Sequence, residues 1–326
     1  MPSVTVSFAP SRVWHPEVMT ASPGDTGQGG PLDRLARLRQ HERGGRRSPH
    51  KPLLVLLALG RLHQGHTDGL TWQDAQQRLA DLITEYGPAS RTRPAQSAAY
   101  PFTRLRSDAI WVLDADVPMD DVGPLNRHNP VGRFTPELQT LLHGDPDLVR
   151  STAHALAEAH FPATVAADVL ADVGFDPDLV LTAPDVLPDP TGARDRRRDP
   201  AWRHAILQAW DLQCAFCGYD GQILGTTVGV EAAHVRWFSF DGPDSLDNGL
   251  ALCVLHHKLF DRGVIGLDHT HRIDVTTAFR TSTDAGRAIY ALHGRHLQPR
   301  PGTQPPATDH IAWHRREVFK GTRLPT

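Results

Sequence analysis

The stretch CVLHHKLFD (residues 253–261) decides how the C-terminal part of this 326-residue chain folds. It places two adjacent histidines, His256 and His257, shortly after the last of three cysteines. The other two cysteines, Cys214 and Cys217, form a C-x2-C pair within CAFCG. Three cysteines cannot complete a tetrahedral zinc site made of thiolates alone, so such a site needs one ligand of another type.

One of the two histidines can supply that ligand. Cys253 and His256 form a C-x2-H pair, and zinc commonly takes its four ligands from two such knuckles. The sequence therefore predicts a structural zinc ion held by Cys214, Cys217, Cys253 and His256. If a helix begins near Leu255, consecutive side chains point about 100° apart, so His257 faces a different site.

A second group of polar residues lies upstream of this pair of histidines. His234 lies in the strand-like segment VEAAHV, and Asn248 lies in the turn LDNGL. Together with His257 they follow one another at intervals of 14 and 9 residues. A histidine in an apolar segment is usually a satisfied core residue, but the joint spacing beside two zinc knuckles favours a reactive site.

The pattern EAAH…DNGLALC…HHKLFDRGVIGLD, within residues 200–275, resembles the HNH nucleases. The resemblance implies a ββα-metal fold of two strands and a helix around one divalent cation such as Mg²⁺, Mn²⁺ or Co²⁺, with the zinc site as a brace. It also implies that His234 is the general base, that Asn248 holds the base in place and that His257 binds the cation. These roles suit phosphodiester hydrolysis, which needs a proton acceptor and a cation that carries the oxyanion charge.

The position before the base departs from the pattern of that family. Many members have an acidic metal ligand directly before the base histidine, where this chain has Ala233. Glu231 lies two residues earlier, and in a strand it shares the face of Ala233. We therefore expect Glu231 to be the second metal ligand, with Asp261, one helical turn after His257, as its competitor.

The chain as a whole is predicted to form an α+β protein of four segments. Periodic leucines predict a mainly helical domain, with Thr71 as the N-cap of one helix, and AAYPFTRL and AIWVLDAD are predicted to be short strands. The predicted segments are an N-terminal extension (1–30), a DNA-recognition domain (31–175), a proline-containing linker (176–199) and a nuclease domain (200–326).

The net charge of −3 conceals a strong asymmetry along the chain. Residues 31–106 carry 13 Lys and Arg against 6 Asp and Glu, whereas residues 107–190 carry 3 against 15. Residues 191–326 carry 17 against 14. Separate basic blocks are typical of a protein that binds a polyanion, although a solvated surface produces the same pattern.

Three stretches of the basic domain carry a family resemblance: RRSPHKPLLVLLALGRL (46–62), AAYPFTRL (98–105) and LNRHNPVGRF (125–134). They resemble the sulfur-binding domain of McrA-like type IV restriction endonucleases. That family couples this domain to a C-terminal HNH module and depends on phosphorothioation, in which sulfur replaces a non-bridging phosphate oxygen of double-stranded DNA. The resemblance implies an apolar wall for the sulfur at Tyr100 and Pro101. Candidates for phosphate contacts are Arg39, Arg46, Arg47, His50, Lys51 and Arg127, and Gln40 is a candidate for base-edge readout.

Two other functions compete with this one. An HNH endonuclease specific for methylated cytosine would need an aromatic cage, and residues 31–175 contain few aromatic side chains. A non-catalytic, zinc-stabilised DNA-binding protein would need none of His234, Asn248 and His257. The sequence contains no run of 18 apolar residues, no secretory signal and few cysteines. It therefore predicts a cytoplasmic protein without a membrane span. Homodimer formation stays open.

Overall fold

The computed structural model describes residues 29–38, 42–43, 46–184, 187, 199–297, 299 and 301–325. For residues 42–43 and 46–47 only the backbone path is described. The architecture is mixed α and β, with a mainly helical N-terminal part and a C-terminal part built around two strands and a helix, as predicted. Within the described residues, none of the helices combines the length and apolar character needed to cross a lipid bilayer.

The described N-terminal part consists chiefly of helices. They are α1 (Pro31–Leu38), α2 (His50–His63), α3 (Trp72–Tyr86), α4 (Pro94–Arg104), α5 (Val122–His128), α6 (Pro136–Gly144), α7 (Pro146–His160), α8 (Ala163–Asp172) and α9 (Pro177–Leu181). The predicted cap of α3 is confirmed, because the Thr71 hydroxyl accepts a hydrogen bond of 3.1 Å from the Asp74 amide. Residues Leu105–Asp108 continue α4 as a short 3₁₀ helix.

The apolar run of α2 makes it the central helix of this part. Its side chains from Leu53 to Leu57 are all fully buried, and α3, α4 and α7 pack against it. A Cβ atom at Gly60 would lie 1.9 Å from the carbonyl oxygen of Val173, so glycine is what allows the end of α8 to approach α2 this closely.

The prediction of a strand for AAYPFTRL was wrong, because these residues belong to α4 and its 3₁₀ extension. Ala98, Ala99, Phe102 and Leu105 recur at helical spacing and are fully buried. The packing of this apolar stripe on α2 and α3 outweighs the helix-breaking tendency of Pro101 in the helix interior.

Two small sheets complete the N-terminal part. Strands β1 (Glu42–Arg43) and β2 (Arg46–Arg47) pair as an antiparallel hairpin. Strands β3 (Leu70–Thr71), β4 (Trp111–Leu113) and β5 (Val131–Phe134) form an antiparallel sheet in the order β3-β5-β4. Strand β4 confirms the strand that was predicted for AIWVLDAD.

The C-terminal part is built from helices α10 (Pro200–Ala209), α11 (Val254–Asp261), α12 (Asp284–Tyr290) and α13 (Thr308–Glu317), with strands β6 (Gln222–Ile223), β7 (Thr226–Thr227), β8 (Val230–His234), β9 (Gly249–Cys253), β10 (Ile265–Leu267) and β11 (Ile273–Val275). Strands β8 and β9 pair antiparallel, with His234 opposite Gly249, and α11 follows β9 without a loop. The predicted ββα unit is therefore β8-β9-α11.

Glycine at position 249 fixes where α10 lies. A Cβ atom there would lie 2.1 Å from Ile206 and 3.0 Å from Trp202, both of which belong to α10. The helix can therefore lie directly on the start of β9, which brings Trp202 against the neighbouring strand end at His234.

Each part has its own hydrophobic core. The N-terminal core runs from Leu35 to Leu187, and the C-terminal core runs from Trp202 to Ile311. Val180 of α9 and Leu187 belong to the first core although they lie in the predicted linker. The predicted domain boundaries remain predictions.

Candidate functional site

The four predicted zinc ligands converge on one point. The ligand atoms of Cys214, Cys217, Cys253 and His256 all lie within 4.8 Å of one another. Nδ1 of His256 lies 3.4 Å from Sγ of Cys214 and 3.2 Å from Sγ of Cys253. Tetrahedral zinc, with bonds of about 2.3 Å to sulfur and about 2.0–2.1 Å to nitrogen, requires separations of this size. The cluster fits zinc.

The backbone and the thiols both support a metal site here. The amide of Gly218 donates to the carbonyl of Cys214 at 2.8 Å, and Gly218 has φ +74°, so the C-x2-C segment turns tightly. Hydrogen bonding from Cys253 lowers the pKa of the Cys214 thiol. A cation in this position would replace the shared proton, because zinc binds thiolates.

His234 lies at the end of β8 and is held on two sides. Its Nε2 lies 2.7 Å from Oδ1 of Asp244, and its ring stacks on Trp202 with centroids 3.8 Å apart. Asp244 is itself fixed, because its other oxygen accepts a 2.9 Å hydrogen bond from the amide of Asp199. The imidazole therefore has one nitrogen occupied by a carboxylate, which would stabilise the protonated form of the ring.

Asn248 is fully buried and acts on the loop that follows His234. Its Oδ1 accepts from the amide of Arg236 at 2.8 Å, and its Nδ2 donates to the carbonyl oxygens of Arg236 and Pro243 at 3.0 and 2.9 Å. The backbone amide of Val235 also donates to the Asn248 carbonyl at 2.9 Å. The asparagine thus joins both ends of the loop that carries Asp244.

His257 lies between two carboxylates. Nδ1 lies 2.8 Å from Oε2 of Glu231 and Nε2 lies 3.2 Å from Oδ2 of Asp261. Two ligands at right angles on one cation, each bound at about 2.0–2.1 Å, lie about 2.9 Å apart, so Glu231 and Nδ1 are spaced to share an ion. Since Asp261 meets the opposite nitrogen, it cannot share that ion through the same ring atom.

The carboxylates control the charge of His257. Burial by itself lowers the pKa of this histidine, but Asp261 and Glu231 raise it to about 9. In turn, the hydrogen bond with His257 lowers the pKa of Glu231. A divalent cation that enters this site would displace the proton from the ring nitrogen that it binds.

On the N-terminal part, α4 and its extension place Tyr100, Arg104 and Asp108 one turn apart on one side. The Arg104 guanidinium lies 4.7 Å from the centroid of the Tyr100 ring and makes an ion pair of 2.5 Å with Asp120. Asp108 makes an ion pair of 2.5 Å with Lys51 at the start of α2. We call Lys51, Tyr100, Arg104 and their two acidic partners the α4 surface.

The other predicted DNA contacts are not all described. Arg39 and Gln40 lie outside the described residues, and for Arg46 and Arg47 only the backbone of β2 is described. His50 is half-buried at the start of α2, and Arg127 is exposed in the last turn of α5. Tyr100 is half-buried, whereas Pro101 is buried. Lys51 and Tyr100 thus both contact residues of α4 or its 3₁₀ extension, and all of the DNA-contact assignments remain predictions.

Two family models match the chain. One, described as a ScoMcrA-like DNA sulfur-binding domain, matches residues 30–178, and the other, described as an HNH endonuclease, matches residues 214–268. The chain joins a DNA sulfur-binding domain to an HNH endonuclease domain. The resemblance predicted from the sequence is thereby confirmed, and the α4 surface belongs to the sulfur-binding domain. No curated protein matches the chain.

Several solved structures are similar to parts of this two-domain protein. The sulfur-binding domain of ScoMcrA complexed with phosphorothioated DNA is 20% identical and covers 45% of this chain and 99% of that chain, with a TM-score of 0.38. The corresponding domain of SprMcrA, also complexed with phosphorothioated DNA, is 24% identical over 44% of this chain and 94% of that chain, with a TM-score of 0.36. The type IV phosphorothioation-dependent restriction endonuclease ScoMcrA is 13% identical over 74% of this chain and 84% of that chain, with a TM-score of 0.36.

Sequence reasoning missed three residues of these two sites. Asp244, the partner of His234, stands in a loop with Asp241 and Asp247, and no local pattern distinguishes it from them. Trp202 lies in a segment that reads as a plain helix. Arg104 had a usable signal, since it follows Tyr100 by four residues, but that spacing has meaning only in a helix.

Proposed function

We propose that this endonuclease recognises phosphorothioate-modified double-stranded DNA with its sulfur-binding domain and hydrolyses a phosphodiester bond nearby with its HNH domain. The observation that carries the proposal is the combination, in one chain, of the sulfur-binding domain with an ordered set of base, metal and zinc ligands. Because such an enzyme acts on DNA inside a cell, we place it in the cytoplasm.

In the proposed reaction, His234 accepts a proton from the attacking water. Its Nε2 lies 2.7 Å from Oδ1 of Asp244, and this contact fixes the orientation of the ring. The carboxylate then stabilises the imidazolium that forms, and the stacked Trp202 ring keeps the imidazole plane fixed. Asn248 supports this arrangement indirectly. Its described hydrogen bonds go to Arg236 and Pro243, in the loop that carries Asp244, and not to the imidazole of His234.

Glu231 and Nδ1 of His257 are the proposed ligands of the catalytic cation. A carboxylate and an imidazole suit Mg²⁺, Mn²⁺ or Co²⁺, and two protein ligands would leave the other coordination positions to water and phosphate oxygens. When bound, the cation supplies the positive charge that the phosphorane-like transition state and the leaving oxygen require. Asp261 is not proposed as a ligand, because it meets the other ring nitrogen and is buried.

The Cys214–Cys217–Cys253–His256 cluster is proposed to hold a structural zinc ion. Cys253 is the last residue of β9 and His256 lies in the first turn of α11, so the ion would tie the strand and the helix that carry His257 to the knuckle of Cys214 and Cys217. All four ligand positions are filled by protein atoms, which is typical of a structural and not of a catalytic zinc site.

Selection of sulfur is assigned to the α4 surface. Sulfur is larger and less strongly hydrated than oxygen, so an apolar contact at Tyr100 and Pro101 desolvates it at lower free-energy cost than it desolvates an anionic oxygen. Lys51 and Arg104 attract either form of the backbone. Pro101 is buried in the described structure. The sulfur atom would therefore have to approach Pro101 from the side on which Tyr100 lies.

The proposal for methylated cytosine finds little support in the packing. Of the eight aromatic side chains within residues 31–175, seven are buried, namely Trp72, Tyr86, Phe102, Trp111, Phe134, Phe161 and Phe175. Tyr100 is the remaining one and is half-buried. Side chains committed to the core cannot form a cage around a flipped base.

Cleavage of matched duplexes tests the proposed function. Two labelled duplexes that differ by one sulfur atom are incubated with the full-length protein and Mg²⁺, Mn²⁺ or Co²⁺. The sulfur-containing duplex should be cut and the unmodified duplex should remain intact. Equal cleavage of both would refute sulfur dependence, and cleavage of a methylated duplex alone would place the methylcytosine function first.

A further inference from the structure

Helix α11 of the HNH domain also packs against the sulfur-binding domain. The side of α11 that carries His257 and Asp261 faces α8. Around it, Lys258 makes an ion pair of 2.7 Å with Asp168 of α8, and Arg262 pairs with Glu85 of α3. One helix thus presents the metal-binding histidine and the interdomain contacts on adjoining faces.

Asp261 is the point where the two sets of contacts meet. Its residue surface is 4% exposed, and both carboxylate oxygens are occupied. Oδ1 accepts from Nε1 of Trp237 at 3.1 Å, while Oδ2 meets Nε2 of His257 at 3.2 Å and accepts from the hydroxyl of Thr164. A buried carboxylate depends on such partners, because desolvation without them is strongly unfavourable.

Thr164 comes from the sulfur-binding domain and not from the nuclease. It is the second residue of α8 and lies within the matched range 30–178 of that domain. Asp261 therefore lies beside the N-terminal turn of α8, where the helix dipole favours a negative charge. The neighbouring Lys258 donates to the backbone carbonyl of Thr164, which fixes the same turn from the other side.

The ring of His257 is thereby oriented from both nitrogens. Glu231 meets Nδ1, the nitrogen that faces the proposed cation, and Oδ2 of Asp261 lies 3.2 Å from Nε2, where it can accept a hydrogen bond from the ring. A carboxylate on the far nitrogen of a metal-binding histidine fixes its tautomer and its ring plane, and removal of such a partner typically weakens metal binding about 10–100-fold.

We propose that Thr164 and Asp261 are positioning residues for the catalytic cation, so that the sulfur-binding domain completes the metal site of the nuclease through the chain Thr164–Asp261–His257. This inference rests on the proposed function for the identity of His257 and Glu231 as metal ligands. Its physical consequence is that loss of the hydrogen bond from the Thr164 hydroxyl to Asp261 lowers the affinity of the HNH domain for its cation, whereas loss of other contacts between α8 and α11 leaves that affinity unchanged.

The test measures Mn²⁺ binding to full-length, zinc-loaded protein by calorimetry or electron paramagnetic resonance, without DNA. Thr164→Val keeps the shape of the side chain and removes the hydroxyl, and it should weaken Mn²⁺ binding about tenfold. Thr164→Ser keeps the hydroxyl and should bind as the wild type does. Asp261→Asn should lose about 10–100-fold.

Asp168→Asn is the matched control for the interface. In the described part of the chain, Asp168 makes ion pairs with Lys258 and Arg262 but no hydrogen bond with Asp261, so the variant loosens the same helix contact one turn away. Its Mn²⁺ affinity should equal that of the wild type. Unchanged binding by Thr164→Val, or equal weakening by Thr164→Val and Asp168→Asn, overturns the positioning role.

His257→Ala separates failure of this inference from failure of the proposed function. If the wild type binds Mn²⁺ and His257→Ala does not, the ligand assignment holds and the Thr164 variants decide the inference. If His257→Ala binds Mn²⁺ as tightly as the wild type, the proposed metal site is wrong, and the positioning role falls with it.

Discussion

The nuclease centre and the α4 surface differ in how their charged groups are held. In the nuclease centre, His234 and His257 are each fixed by carboxylates at 2.7–3.2 Å, with side chains only 12% and 13% exposed. On the α4 surface the charged groups are cations that pair with acidic residues: Lys51, 13% exposed, pairs with Asp108, and Arg104, 37% exposed, pairs with Asp120.

The difference shows which part is preorganised. The proposed catalytic groups, His234 and His257, are already oriented by carboxylates of the same chain. The cations of the α4 surface are neutralised by acidic residues of the 107–190 block, so a phosphate must compete with those carboxylates before it can bind. We therefore expect substitutions in the nuclease centre to have large effects and those on the α4 surface to have small, graded ones.

The largest effect is expected at the zinc ligands, where the adjacent histidines should behave differently. His256→Ala and Cys214→Ser should lose the zinc ion and unfold the HNH domain, because structural zinc contributes on the order of 10 kcal/mol to folding. His257→Ala should keep one zinc ion per chain and lose cleavage. Elemental analysis and thermal unfolding check both, and identical behaviour of the two histidine variants would refute the division between them.

The next effect concerns the general base. His234→Ala should slow cleavage about 10²–10⁴-fold, the usual contribution of a positioned base, and should leave DNA affinity unchanged. The base and the proposed recognition surface lie in different domains, so the two properties separate. Single-turnover cleavage and a binding titration with the same duplex measure them. A variant that cuts at the wild-type rate would show that another group takes the proton.

A smaller loss is expected when the partner of the base changes. Asp244→Asn keeps the size of the side chain but removes the charge that stabilises the His234 imidazolium, and cleavage should fall about 10–100-fold, the value of one hydrogen bond to a charged group. Asp241→Asn, three residues away in the same loop, is the matched control and should cut normally. Equal rates in the two variants would remove Asp244 from the mechanism.

The smallest effects are expected on the α4 surface. Lys51→Ala should weaken binding of sulfur-containing and unmodified duplexes alike. Tyr100→Ala should reduce the ratio of the two affinities about fourfold, which corresponds to the burial free energy of roughly one methylene group. Asp108→Asn frees Lys51 and should strengthen binding of both duplexes about two- to fivefold. A change of the ratio in Lys51→Ala but not in Tyr100→Ala would reverse the assigned roles.

The same contrast explains what the sequence could predict. Short-range geometry was sufficient to predict that Cys214, Cys217, Cys253 and His256 come together and that Glu231 lies beside His257, and their roles as metal ligands stay predictions. The order His234, Asn248, His257 likewise lies within one ββα unit.

Contacts across long distances could not be predicted. Thr164 lies 97 residues from Asp261, and nothing near Thr164 in the sequence marks it as a partner of the nuclease. The strand predicted for AAYPFTRL was wrong because the buried stripe Ala98, Phe102 and Leu105 becomes decisive only once α2 and α3 are in place. With Tyr100 on a helix and not a strand, its neighbour Arg104 became visible only in the structure.

The most direct test of the central claim is the binding of one protein to two duplexes that differ in a single sulfur atom. Full-length His234→Ala protein prevents cleavage during the titration, and fluorescence anisotropy is recorded at two salt concentrations. We predict tighter binding of the phosphorothioate duplex, with both affinities falling at higher salt while their ratio is largely kept, because the cations act on both backbones. Equal affinity for the two duplexes would contradict it.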